Sequence, residues 1–63
     1  MTHNNIYNLC RQLTEENTSL WRIRDEYIKD ATGKDELQDF WRKLEKDKET
    51  HILKLQELIK KYL

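Results

Sequence analysis

Gly33 is the only glycine in a chain of 63 residues that has no proline, so a single position offers the backbone an inexpensive break. On both sides of it apolar residues recur at intervals of three and four, the period of a helix with one buried face. Before the glycine stand Ile6, Leu9, Leu13, Leu20, Ile23 and Tyr27; after it stand Leu37, Phe40, Trp41, Leu44, Leu55, Leu58, Ile59 and Tyr62. The spacing predicts one all-α domain over 1–63, with a helix over about 5–31, a turn over about 32–35 and a helix over about 36–63. Thr2, Asn4 or Asn5 is expected to cap the first helix, and Asp35 followed by Gln38 resembles a capping box for the second.

Two helices of roughly 28 residues would each be about 42 Å long. A short turn between helices of equal length sends the second back along the first, so the expected architecture is an antiparallel two-helix hairpin. Such a hairpin encloses no core of its own. With one cysteine, Cys10, an internal disulfide is excluded, and a chain this short needs some other support. Trp41, Ile59, Phe40 and Leu58 would stay wet in a monomer. The expectation is therefore a homodimer whose two hairpins form a four-helix bundle.

Charged residues make up 38% of the chain against 37% hydrophobic, the balance of long amphipathic helices rather than of a sheet. Twelve basic and twelve acidic residues cancel and are interspersed, which argues against a nucleic-acid partner. No apolar run approaches the roughly 20 residues of a membrane span, and Met1-Thr2-His3-Asn4-Asn5 lacks the features of a signal peptide, so a cytoplasmic location without membrane contact is expected. Cys10 is expected to be an inert, packed thiol, and the side chain of His3 to be solvated near a fraying end. No nucleophile and base pair, phosphate-binding loop or Cys and His cluster commits the chain to catalysis.

The apolar stripe of the second helix is interrupted by Lys48 and His51. A charge placed on such a seam needs a partner. With the turn near Gly33, Glu16 and Asn17 fall opposite Lys48 and Glu49, and Glu16 lies on its own seam between Leu13 and Leu20. The predicted mid-bundle polar layer is thus Glu16, Asn17, Lys48 and His51, doubled by two-fold symmetry. Glu15 points away into solvent. Two readings of the layer follow from the residue types. In one it is a buried ion-pair layer that fixes register and oligomeric state, with no cofactor. In the other Glu16 and His51 of both subunits hold iron or another divalent metal, as carboxylates and imidazoles on facing helices do in bundle metal centres.

At these residues the sequence resembles the ferritin-like superfamily, the fold of bacterioferritins, rubrerythrins and the short encapsulin-associated ferritins. Leu13-Thr14-Glu15-Glu16-Asn17 is similar to the first-helix segment that supplies a metal-binding Glu, and Phe40 to His51 is similar to the second-helix segment that ends in Glu-x-x-His. The resemblance extends from about Leu9 to Ile59. It implies a helical hairpin that pairs into a four-helix unit, with Glu16 and His51 as ligands in metal storage or in oxygen and peroxide chemistry. Lys48 stands where the family has its second carboxylate, and a protonated amine cannot ligate a cation. The resemblance therefore implies the architecture together with a degenerate metal site and a structural or interaction role, within a pair or a larger assembly. A third reading is a coiled-coil adaptor for another helical protein. Outside the layer, Arg24 is expected to lie over Trp41, and Trp21 and Trp41 to pack in the dimer.

Overall fold

In the computed structural model, which describes residues 3–63, the chain is helical almost throughout, with no strand among the described residues. Helix α1 covers His3–Arg22, continues through a π-helical turn at Ile23–Tyr27, and ends in a short α2 at Ile28–Asp30; α3 covers Asp35–Tyr62. The molecule measures 48 × 14 × 12 Å. Contacts between the two arms run in opposite chain order: Gln38 reaches Ile28, Trp41 meets Tyr27, Glu45 meets Arg24, and Lys48 meets Glu16.

The break falls where the glycine predicts. Gly33 takes φ +86°, the left-handed conformation that a side chain disfavours. The turn is closed by backbone bonds from Thr32 to Lys29 and from Lys34 to Ala31, at 3.1 and 2.9 Å, and by the Thr32 hydroxyl donating to the Lys29 carbonyl. Ala31 is buried beneath it. The expected capping box does not form. Asp35 is already inside α3, Lys34 occupies the cap position without a side-chain bond, and the Gln38 amide instead donates to the Ile28 carbonyl at 3.1 Å. A glutamine within reach of another helix's free carbonyl has a better use than a nearby N–H that solvent can satisfy. Asn4 and Asn5 also lie within α1 rather than at its cap. The capping role expected of Thr2 falls outside the described residues, as does the side chain of His3.

The apolar spacing does not predict the π turn. Ile28 donates its N–H to the carbonyl of Ile23, five residues back rather than four, and so takes one extra residue into the turn. Ile23 stays buried at 1% exposure, and Tyr27 and Ile28 remain half-buried beside it. An even 100° step along α1 therefore misplaces the residues beyond Arg22.

Burial is sparse. Only Leu20, Ile23, Ala31 and the charged Glu16 are buried among the described residues, while Tyr7, Trp21, Leu37, Phe40 and Leu53 are exposed. Two packed helices cover one stripe and leave the flanks wet. No helix among the described residues is long and apolar enough to cross a membrane.

Candidate functional site: a buried carboxylate between two bases

Glu16 sits on the inner stripe of α1 one turn from Leu13 and Leu20, so the packing that buries Leu20 also buries its carboxyl group, whose side chain is 7% exposed. Both oxygens are used. The Lys48 ammonium donates to Oε2 at 2.6 Å, and His51 Nδ1 lies 2.7 Å from Oε1. An ionised carboxylate only accepts, which puts the imidazole proton on Nδ1. Lys48 and His51 are three residues apart on α3 and so share a face, aimed at one point on α1.

The Glu16 carboxyl is held below the usual carboxylate range. The hydrogen bond from Lys48 contributes most, burial opposes it, and the bond to His51 adds to the lowering. In a molecule only 14 × 12 Å across, no group is far from water. Burial here removes direct hydration without creating a deep low-dielectric interior.

A second acid–base cluster lies nearer the turn. Arg24 donates through Nε to Glu45 at 2.7 Å and through Nη2 to Glu49 at 2.8 Å. Its guanidinium is held above its ordinary value, chiefly by the bond to Glu45. This corrects the expected stacking of Arg24 on Trp41. The ring of Trp41 packs instead against Tyr27 at 4.9 Å and edge-on against Phe40 at 5.1 Å. Glu45 and Glu49 are one helical turn apart, and that spacing was the signal available in the sequence for a base reaching between them.

The remaining expected site residues divide. Asn17 is exposed, and its amide donates to the Leu13 carbonyl of its own helix at 3.0 Å, so it does not join the layer. One residue further round from Glu16, it is carried off the seam by the helical step. Glu15 is exposed and pairs with Arg11 at 3.6 Å, as its position predicts. Cys10 is exposed rather than packed, because it falls on the flank of α1 that α3 does not cover.

The metal reading can be tested against these donors. Lys48 occupies one oxygen of the only buried carboxylate, Glu49 is committed to Arg24, and no group of three or more His, Cys, Asp or Glu side chains gathers to hold an ion among the described residues. The donor set of one copy does not fit a metal centre. His51, whose side chain is 54% exposed, presents its Nε2 edge away from Glu16, but among the described residues no hydroxyl or thiol is bonded to it for activation. What the arrangement does chemically is neutralise and orient a buried anion. No protein-family model, curated protein or solved structure matches the chain.

Proposed function

We propose that the chain is a self-pairing helical module: an antiparallel hairpin that joins a second copy in a four-helix bundle, with the Glu16, Lys48 and His51 layer setting register at mid-length. The ferritin-like resemblance belongs to this reading as an account of the architecture, with the metal site degenerate. The observation that carries it is the shortage of burial. Three apolar residues are covered among the described ones, while Trp21, Phe40 and Leu53 are 56%, 56% and 68% exposed. At about 25 cal/mol per Å² of apolar surface removed from water, covering those flanks is the largest stabilising term still open to the chain. A second copy supplies the matching surface without a specialised partner.

The layer fits a register role. A buried ion pair adds little net stability, yet a mismatched layer would strand charge, so it discriminates between alignments more than it strengthens any one of them. Sedimentation at micromolar concentration should give twice the 7.8 kDa chain mass. A folded, cooperative species of single mass would overturn the reading.

A second reading keeps a metal, with Glu16 and His51 from both copies holding iron or another divalent ion for storage or for oxygen and peroxide chemistry. The outward Nε2 edge of His51 favours it, since a partner copy would add ligands at the same level. Stoichiometric iron in protein grown with iron, lost on His51→Ala, would replace the structural role with this one.

A further inference from the structure

The turn that Gly33 allows brings two short helical faces together. Tyr27 accepts the backbone N–H of Ala31, one helical turn on, and Leu37 and Trp41 are one turn apart in α3, so each pair lies on one side of its arm. Together with Asp30 these four residues line a small cavity of about 180 Å³ at the turn end. Ala31, 4% exposed, contributes only a methyl group. A larger side chain there would take up the space.

Two of the walls are aromatic. The rings of Tyr27 and Trp41 have centroids 4.9 Å apart and are tilted by 45°. Rings tilted in this way do not lie flat on one another, so each keeps part of its electron-rich face for a third group. Phe40, edge-on to Trp41 at 5.1 Å, braces the indole. Asp30 adds a carboxylate with no base of its own. Glu15, Glu16, Glu45, Glu49 and Glu57 each meet one, whereas Asp30 makes no salt bridge among the described residues. The surroundings are acidic as well, since over residues 25–39 six carboxylates stand against Lys29 and Lys34. The local potential therefore favours a cation. The chain does not supply one. Among the described residues the lysine over a ring is Lys61 on Tyr62 at 5.2 Å, at the far end of the rod, and no lysine or arginine covers Tyr27 or Trp41.

We propose that this cavity binds a small organic cation carrying a quaternary ammonium group of the choline type. Such a group has no N–H to donate and spreads its charge over methyl groups, so ring faces and a carboxylate recognise it where hydrogen-bond acceptors alone do not. Tryptophan offers the strongest such face. The cavity is smaller than the roughly 300–1,000 Å³ of pockets that enclose a drug-sized ligand, so it takes the cationic head and leaves the rest of the ligand outside. A phosphate next to that head would meet the surrounding carboxylates, which selects the free cation over phosphocholine or a lipid head group. The lining residues all belong to one copy, so the site stands or falls apart from self-pairing.

Choline chloride titrated into the full chain at constant ionic strength tests the site, with the Trp41 indole N–H followed by NMR. A Trp21→Phe background, a mild change at an exposed position, leaves Trp41 as the one indole. We expect a saturable shift at millimolar choline, and binding about three- to tenfold weaker for the uncharged isostere in which a tert-butyl group replaces the trimethylammonium. Asp30→Asn should weaken choline by a similar factor and leave the isostere unchanged. Asp39→Asn removes the same charge from the same end but outside the cavity, and should change little. Phosphocholine should bind more weakly than choline. Equal affinity for choline and its isostere would make the hollow merely apolar and overturn the proposal. Equal losses in Asp30→Asn and Asp39→Asn would place the attraction in the diffuse field of the acidic end and overturn it too, as would a Trp41 signal that does not move. Phosphocholine bound as tightly as choline would overturn the choice of a free cation.

Discussion

The Glu16 layer and the Arg24 fork join the same two arms with the same chemistry, acid on one side and base on the other, at nearly equal bond lengths. They differ in access to water. The difference lies at the carboxylates: Glu16 is 7% exposed, between Lys48 at 21% and His51 at 54%, whereas Glu45 and Glu49 are 22% and 49% exposed around an Arg24 at 45%. Bond length therefore says little about what either cluster is worth. In the layer, losing one partner strands a charge that water reaches poorly. In the fork, water and salt replace whatever is lost. The comparison also separates roles: the layer resists misalignment, and the fork adjusts to its surroundings.

The largest effect should come from breaking the layer on one side. Lys48→Met removes the cation that contributes most to holding Glu16 and leaves the carboxylate with His51 alone. We expect a loss of about 2 kcal/mol at neutral pH, below the usual figure for buried pairs because the rod is thin. Urea unfolding measures it. Removing both charges with Glu16→Leu and Lys48→Met should recover most of that loss, since packed apolar groups of similar volume substitute for a buried pair at little cost. A double variant as weak as Lys48→Met would show that the layer contributes attraction of its own.

Acid should separate the clusters next. The carboxyl of Glu16 binds its proton less readily when folded than when unfolded, so its contribution is fully present above the unfolded value and is lost as pH falls through the lower, folded one. Thermal unfolding from pH 6 down to pH 2 should fall more steeply for the natural chain than for the double variant. For Arg24 the shift is upward, so its contribution is full below the ordinary arginine value and would fade only as pH rises beyond it, outside any working range. The smallest effect is expected from Arg24→Gln. It should change the midpoint little at low salt and less at 0.5 M salt, whereas the cost of Lys48→Met should persist at both. If the two losses shrink alike with salt, the distinction between the clusters fails.

What was legible in the sequence follows from what repeats or is unique. Gly33 marks the break because no other residue in the chain reaches a positive φ so cheaply. The stripes mark two helices, and Lys48 and His51 stand out because they interrupt a stripe. Glu16 then follows from the antiparallel count. The π turn left no such mark: it depends on how Ile23 and Ile28 pack, and no single residue encodes it. Because the even helical step fails there, sequence spacing pairs Arg24 with Trp41, whereas the structure brings it to Glu45 and Glu49. Cys10 departs from its expected burial for another reason. Residue type favours burial for a thiol, but two helices have too little interior to honour the preference.

The layer depends on Glu16 being held as an anion by Lys48 and His51, and its carboxyl carbon reports that state. With glutamate labelled at the side-chain carboxyl carbon with carbon-13 and the Glu16 signal identified by its absence in Glu16→Gln, a pH titration by NMR should show Glu16 taking up its proton below the usual glutamate range, with the displacement shrinking in Lys48→Met. A Glu16 signal that titrates within the usual glutamate range in the natural chain would place that carboxyl in open water and contradict the layer.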